Sequence, residues 1–277
     1  MIKRLTILLF FILTVLPIVL GLGYSLFYSV GMIGLMNKGF TLEYWQKMFL
    51  ATDAPESFAY SFLITFLSLI LILGFSLAFS WWQIRKPRKW FNNLLFLPLT
   101  FPPLIAAFSW FYILSPGGLI SRFLIQTGII SGVEEFPRMV NDTLGIGILS
   151  THVFLVFPLF GILFLHQANK ERIPDLMQVS QTLGSNSSQF FMQVYVPLIL
   201  KKTAPFIILY TVFLFGAFEV PLLLGKSAPR MITIFITEKM SKFNLMDIPV
   251  AHAAAVVYSF LVIGMTAILI RKNSLEI

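Results

Sequence analysis

The sequence predicts an all-α integral membrane protein with six transmembrane helices. Hydrophobic residues make up 57% of its 277 positions and charged residues only 12%, and the mean hydropathy is +0.86. Six apolar runs are each long enough to cross a hydrocarbon core of about 30 Å, which takes about 20 helical residues. No segments with the alternating pattern of membrane strands are found, so the spans are predicted to be helices.

The first apolar run covers residues 5–30 and follows Lys3 and Arg4. A basic start before an apolar stretch is also typical of a secretory signal peptide. This run is about twice as long as a signal core, and no small-x-small cleavage pattern follows it before Asn37. It is therefore predicted to stay in the protein as the first transmembrane helix.

Five further runs, largely free of charge, are predicted to span: 58–82, 94–114, 143–165, 203–224 and 251–270. An even number of spans puts both termini on one side of the membrane. The predicted organisation is a first helix with an external loop (1–57), a core of five helices (58–270) and a short tail (271–277). A polar loop of about residues 166–202 divides the core.

The basic residues predict the orientation. The eight on the side away from the termini are matched by eight acidic residues there. The side with the termini is therefore predicted to be cytoplasmic. Because the charges are spread over short loops, nucleic-acid binding is not indicated. Twelve of the 20 basic residues lie on the side of the termini: Lys3, Arg4, Arg85, Lys86, Arg88, Lys89, Lys170, Arg172, Lys201, Lys202, Arg271 and Lys272.

The sequence does not predict a metal, cofactor or catalytic site in this chain. It has no cysteine, which excludes disulfides and thiolate chemistry. Gly225-Lys226-Ser227 lacks the first glycine of a phosphate-binding loop, and no hydrolase motif appears. The three histidines show no ligand spacing and are interpreted as structural: His152, His166 and His252.

The polar loop carries local signals for two short helices. Pro174 suits a first helical position, Asp175 the positive end of the helix dipole, and Gly184 the position just after a helix. Asn186 and Gln189 have the spacing of a capping box that opens a second helix toward Pro197. The first helix, predicted over 175–184, would carry one apolar stripe at helical spacing: Leu176, Val179 and Leu183. A helix this short needs support for that stripe from its own chain or from a partner.

Here the sequence resembles the permease subunits of binding-protein-dependent ABC importers. That family carries Glu-Ala-Ala-x-x-x-Gly-x9-Ile-x-Leu-Pro between two late spans. This chain has the glycine and the proline of this pattern, and it keeps aliphatic residues at the isoleucine and leucine positions. The first three residues of the pattern, its head, differ, because a glutamine replaces the glutamate and no carboxylate is left there. The corresponding residues are Gln178, Val179, Ser180, Gly184, Val194, Val196 and Pro197.

Other segments extend the resemblance along the chain. They are similar to permeases of the polyamine, ferric-iron and thiamine type, and the first looks like the segment that leads into the family's conserved core. These segments are Phe40-Thr41-Leu42-Glu43-Tyr44-Trp45, Leu97-Pro98-Leu99-x-x-Pro102, Ser115-Pro116-Gly117-Gly118-Leu119 and the run from Gly216 to Gly225.

The resemblance implies a type I importer permease in a bacterial cytoplasmic membrane, not an enzyme. Its partners would be ABC ATPase subunits that use ATP and Mg²⁺, a second permease that is a copy or a relative, and an extracytoplasmic solute-binding protein. The loop helix would be the coupling helix that contacts the ATPase. The residues assigned to that contact are Asp175, Leu176, Gln178, Val179, Ser180, Leu183, Gly184 and Pro197.

Glu219 is the clearest carboxylate within a predicted span, and an intramembrane charge is by default a functional candidate. Counted from Thr203, it lies about 24 Å along the helix, near the external edge of the membrane. An interfacial structural role and a role in the cargo path both remain open. Pro221 is expected to break the helix there, and Phe218 is grouped with them in the predicted cargo path.

Two other classes of membrane protein fit the sequence less well. A secondary transporter working as a dimer without an ATPase would be expected to show an internal repeat, and none is visible. A membrane scaffold or lipid-modifying enzyme would leave the spacing from Gly184 to Pro197 unexplained. The cargo is expected to be a polyamine, ferric iron, thiamine or another small solute.

Overall fold

The computed structural model describes residues 2–35, 37–50, 53–241 and 244–274. Nearly all regular structure in these ranges is helical. The helices are α1 (Ile2–Ser29), α2 (Glu43–Leu50), α3 (Asp53–Arg85), α4 (Lys89–Leu94), α5 (Phe96–Leu99), α6 (Pro103–Leu114), α7 (Leu119–Gln126), α8 (Ile146–Lys170), α9 (Ile173–Thr182), α10 (Ser187–Phe190), α11 (Val196–Phe215), α12 (Glu219–Leu224), α13 (Ile232–Ser241) and α14 (Asp247–Ser274). A 3₁₀ turn covers Val133–Glu135, and a π-helical turn, Phe191–Tyr195, joins α10 to α11.

Six helical stretches within the described ranges are long and apolar enough to cross a membrane, as the sequence predicts. They are Leu9–Ser29, Asp53–Arg85, Pro103–Gln126, Ile146–Lys170, Ser187–Phe215 and Asp247–Ile268. These spans are helices rather than strands because a helix satisfies its own backbone hydrogen bonds in lipid. The predicted all-α class is confirmed.

The chain forms two compact units. The first consists of residues 1–60 with 228–265, and the second of residues 61–227 with 266–277. In the first unit the ring of Tyr28 stacks on His252, with centroids 4.4 Å apart. Arg230, near the start of α13, pairs with Glu238 and lies 3.8 Å from an Asp53 carboxylate oxygen. These contacts join α1 to α14, and the start of α3 to the α13 segment.

The second unit is built around α8. Helix α8 packs against α5, α6, α11 and α12, and its end contacts α9. Its buried Phe160 and Phe164 lie in a core shared with Ile72 of α3 and Leu214 of α11. The buried His152 accepts or donates a 3.1 Å hydrogen bond with the hydroxyl of Ser68. This histidine therefore has a structural partner within the helix bundle.

The predicted third span, 94–114, is wrong in its boundaries. The chain there forms α4 and α5, and the spanning helix begins only at Pro103. Pro102, at the N-cap, has a φ of −59° and a ψ of 142°, because a residue that precedes a proline, here Pro103, is sterically excluded from helical geometry. The apolar run is thus divided by its prolines, and the candidate span extends instead to Gln126.

The predicted fifth span, 203–224, is also wrong in its boundaries, but here the observed span begins and ends earlier in the sequence. The continuous helix covers 187–215, and the chain leaves helical geometry at Gly216 before α12 begins at Glu219. The break therefore precedes Pro221, which we expected to cause it. Pro221 instead lies in the first turn of α12, where a missing N–H has no intrahelical partner to lose.

Candidate functional site

The candidate site is the polar loop between α8 and α11, which belongs to the second unit. Helix α9 begins at Ile173, two residues before the predicted start. Pro174 lies in its first turn, where its ring is tolerated, and Asp175 places a negative charge at the positive end of the helix dipole. Arg172, the N-cap, has a left-handed backbone with a φ of 51°.

The end of α9 is a tight reversal centred on Gly184. The N–H of Ser185 donates to the carbonyl of Ser180, and the N–H of Gly184 donates to the carbonyl of Gln181, both at 3.0 Å. This pair of bonds is the Schellman motif, which requires a left-handed residue after the helix. Gly184 supplies it with a φ of +86°, so the predicted role of this glycine in the turn is confirmed.

The predicted capping box is also present. The Asn186 side chain accepts from the N–H of Gln189 at 2.8 Å, and the Gln189 side chain accepts from the N–H of Asn186 at 3.1 Å. Helix α10 starts there and runs through the π-helical turn into α11. Pro197 is the second residue of α11, directly after this irregular turn. The loop is thus a helix, a reversal and a second helix that continues into a span.

The described residues of the chain leave the apolar stripe of α9 uncovered. Leu176 is 42% exposed, Val179 58% and Leu183 82%. The side chains of Asp175 and Gln178 are exposed as well, whereas the Ser180 hydroxyl donates to the Met177 carbonyl at 2.8 Å. The sequence left open whether the chain's own helix ends or a partner supports this stripe. The helix ends that the structure describes do not cover it.

Buried residues at both ends of the loop hold α9 in place. Ile173 and Tyr195, together with Phe190, are buried in the core that contains Phe160 and Phe164 of α8. The loop therefore has an anchored base below its exposed helix. An ion pair reinforces this base, because Lys202 of α11 lies 3.4 Å from the Glu171 carboxylate at the end of α8.

An aromatic cluster, defined here as Trp81, Phe190, Phe191 and Tyr195, joins the loop to α3. The Trp81 ring centroid lies 5.2 Å from those of both Phe191 and Tyr195, and 6.1 Å from that of Phe190. The hydroxyls of Tyr195 and Ser80 share a buried 2.6 Å hydrogen bond. Sequence reasoning did not connect these residues, although the aromatic density at 190–195 was a visible signal.

The three residues of the predicted cargo path all lie at the start of α12. Glu219 is exposed and opens the helix, Phe218 is its half-buried N-cap, and Pro221 is buried. Helix α12 packs against α6 and α8. Glu219 therefore lies four residues beyond the end of the α11 span, and the expectation of a carboxylate within a span is wrong, because the helix along which its depth was counted ends at Phe215.

The comparison with protein families now decides the class of this chain. Residues 70–272 match the profile described as "Binding-protein-dependent transport system inner membrane component". The chain belongs to this family. It is a multi-pass inner-membrane permease of a bacterial ABC importer and is not an enzyme.

Individual relatives agree with the family assignment. The sn-glycerol-3-phosphate transport system permease protein UgpA of Salmonella typhimurium is 22% identical over 271 residues, covering 94% of this chain and 90% of UgpA. The spermidine/putrescine permease PotB of Haemophilus influenzae is 30% identical over 156 residues, covering 56% of this chain and 52% of PotB.

The fold agrees as well. A chain of a bacterial ABC transporter for the acidic polysaccharide alginate superposes with a TM-score of 0.78 at 14% identity, covering 98% of this permease and 93% of that chain. The same kind of transporter, solved in complex with an alginate pentasaccharide-bound periplasmic protein, gives a TM-score of 0.76 at 15% identity. The predicted type I importer architecture is confirmed.

Proposed function

We propose that this permease receives the energy of transport through α9, which binds a groove of a separate ATPase subunit. The observation that carries the proposal is the uncovered stripe of Leu176, Val179 and Leu183 on a helix whose ends are fixed. An exposed apolar face on a short, anchored helix suits a partner that covers it. The ATPase would bind ATP and Mg²⁺, and this chain would bind neither.

The polar residues of α9 have distinct roles in this proposal. Asp175 and Gln178 have exposed side chains that are available to an ATPase surface. Gln178 keeps the length and hydrogen-bonding capacity of the family's glutamate without its charge, so its contact would be a neutral hydrogen bond. Ser180 already bonds its own backbone and would contribute packing, and Pro197 would fix the exit from the loop.

The mechanical path runs from α9 into the bundle. Differential contact with the ATPase in its open and closed states is what coupling requires. Movement of α9 would reach α8 through Ile173, and it would reach α3 through the aromatic cluster around Trp81. The core permease over residues 58–270, with the first helix added, would move as the translocation pathway.

Orientation follows from this role. An ATPase that uses cytoplasmic ATP must meet α9 in the cytoplasm, which puts both termini on the same side. The excess of basic residues there supports this orientation. A protease or a membrane-impermeant label added to intact spheroplasts would leave a C-terminal tag untouched, and modification of the tag from outside would contradict the assignment.

We propose a small solute delivered by a binding protein as the cargo. The relatives are named for a phosphorylated polyol and for polyamines, which carry opposite charges. The polyamine expectation rests on the likeness to PotB, which matches 56% of this chain, whereas UgpA, named for sn-glycerol-3-phosphate, matches 94% of it. Ferric iron and thiamine rest on sequence resemblance alone. Spermidine and sn-glycerol-3-phosphate should be compared in a thermal-shift assay on the partner binding protein, and stabilisation by neither would reject both.

Glu219, with Phe218 and Pro221, is proposed to line the external part of the cargo path. Its carboxylate is exposed at the start of α12, close to the end of a span. A carboxylate there would favour a cationic cargo. Glu219→Gln should then reduce uptake of spermidine without changing assembly with the ATPase. If the native complex transports spermidine and the variant complex takes it up equally fast, this role is contradicted.

The decisive experiment is capture of the tagged permease from its native membrane in mild detergent, followed by mass spectrometry. An ATPase that is lost when residues 175–184 are scrambled would support the proposal. A chain captured alone that still transports would favour the secondary-transporter dimer.

The altered head of the coupling motif, Gln178-Val179-Ser180, suggests that the second permease is a relative with the family's usual form. A purified complex with two copies of this chain and no other permease would refute that hypothesis.

A further inference from the structure

Helix α2, in the first unit, has three chemically different sides. Tyr44 and Met48, four residues apart, are buried. Glu43 and Lys47 form a second side and are joined by a 2.6 Å ion pair. At about 100° per residue, the third side is centred on Leu42 and Phe49.

Apart from the exposed Gln46, the third side is apolar, and the described residues leave it uncovered. Leu42 is 53% exposed and Phe49 59%, and Leu50, which lies toward Glu43 around the helix, is 83% exposed. Together with Trp45 and Gln46 these residues line a shallow groove along the helix. The buried and charged sides leave no other direction for this groove, so its apolar side chains face whatever medium surrounds the first unit at this level.

Two hydrogen bonds fix α2 at the end of the first span. The Trp45 indole N–H donates to the hydroxyl of Ser29, the last residue of α1, at 3.1 Å. The N–H of Thr41 donates to the carbonyl of Val30 at 2.8 Å. Helix α2 therefore lies where α1 leaves the hydrocarbon, the zone in which tryptophan and tyrosine are enriched.

Exposed apolar side chains are also found in the span and in the segment that leads to α2. Leu26 and Phe27 near the end of α1 are exposed, and the connecting segment adds the exposed Leu35 and Phe40 before Leu42 is reached. In a membrane protein the exposed face of a span contacts lipid or another membrane helix. Asn37 and Lys38 interrupt this series, but exposed apolar side chains at the end of a span and on the helix held against it suit the same apolar medium.

We propose that α2 is an interfacial helix whose apolar side, centred on Leu42 and Phe49, lies in the lipid of one leaflet. The charged side with Glu43 and Lys47 then faces the headgroups and water, as in amphipathic helices that lie in the membrane plane. The solute-binding protein is the other candidate occupant of this surface. That protein docks transiently, and transient interfaces are no more apolar than ordinary protein surface, so it suits this face less well.

The absence of cysteine from the chain makes a direct test available. Single cysteines at Phe49 and Lys47 would carry a nitroxide label in the complete transporter, reconstituted in lipid nanodiscs. Leu13, an exposed residue of α1, provides a third position as the lipid reference. Power-saturation spectroscopy would then compare collision with oxygen, which concentrates in lipid, against collision with a water-soluble nickel chelate.

The label at Phe49 is expected to match the one at Leu13 in favouring oxygen, while the label at Lys47 favours nickel. Nickel access at Phe49 equal to that at Lys47 would overturn the proposal. Loss of nickel access at Phe49 only after addition of the binding protein would overturn it too, and would assign the surface to that protein. Leu42→Cys gives a second reporter on the same side if Phe49→Cys fails to assemble, because Leu42 is within about 20° of Phe49 around the helix and is exposed.

Discussion

Truncation of Leu183 to alanine tests the binding role of α9 most simply. Full burial of a leucine side chain stabilises by about 1.5–3 kcal/mol. Leu183 is 82% exposed in the free chain, so nearly all of this stabilisation is still available to a partner. Because alanine retains part of the apolar surface, Leu183→Ala should cost about 1–2 kcal/mol of ATPase binding, an affinity loss of roughly 5–30-fold.

The assay is titration of the purified ATPase onto the permease in lipid nanodiscs, read by a fluorescent label on the ATPase. Leu144→Ala is the matched control, since Leu144 is an exposed leucine before α8 and outside the loop. The loss of binding free energy caused by Leu176→Ala should add almost in full to that caused by Leu183→Ala, because the two side chains are two helical turns apart.

The fold should be unaffected by either substitution in the loop. Substitution of a side chain that is exposed in the free chain usually changes the free energy of unfolding by no more than about 0.5 kcal/mol. An ATPase affinity that is unchanged in Leu183→Ala would refute the reasoning. An equal loss in Leu144→Ala would refute it as well, since the effect would then not belong to α9.

Three further predictions concern the loop and α2. Gly184→Val should lower ATPase binding, because a β-branched residue costs about 1–2 kcal/mol at a φ of +86°, while Gly184→Asn should be milder; equal effects would contradict the left-handed requirement. Tyr195→Phe removes the bond to Ser80 and should lower the free energy of unfolding by about 1 kcal/mol in detergent denaturation, and no change would contradict it. The hydrogen bond between Glu43 and Lys47 holds the pKa of the Glu43 carboxyl below its ordinary value. The stability that this pair contributes is therefore fully present above the pKa that Glu43 has in the unfolded chain, and it is lost as the pH falls through the lower pKa of the folded chain. Hydrogen exchange of α2, corrected for its intrinsic pH dependence, should therefore rise on acidification in the native chain but not in Glu43→Gln, and a rise in both would contradict the pairing.

Local signals predicted the loop well. Gly184 and the pair of Asn186 with Gln189 act within a few residues of their own position, so their geometry is encoded almost entirely in the local sequence. The spacing of Leu176, Val179 and Leu183 likewise determines one helical face. What the local sequence could not decide was whether this face is covered, because that depends on the packing of α8 and α11.

Span boundaries were predicted less well, for a related reason. Hydropathy measures the length of an apolar run and does not measure the continuity of a helix. The break at Pro102 and the break at Gly216 both lie inside apolar runs, so they changed the helices without changing the hydropathy. The contact of Trp81 with Tyr195 joins residues more than a hundred positions apart, and only the folded bundle shows it.

The most direct test of the central claim is a photocrosslink from α9. A benzophenone attached to Val179→Cys, in a chain that has no other cysteine, should form an adduct with an ABC ATPase after illumination of native membranes. The same label on Leu144→Cys should not. Adducts of the Val179 label with lipid or with this chain alone, in membranes that retain transport, would contradict the coupling role of α9.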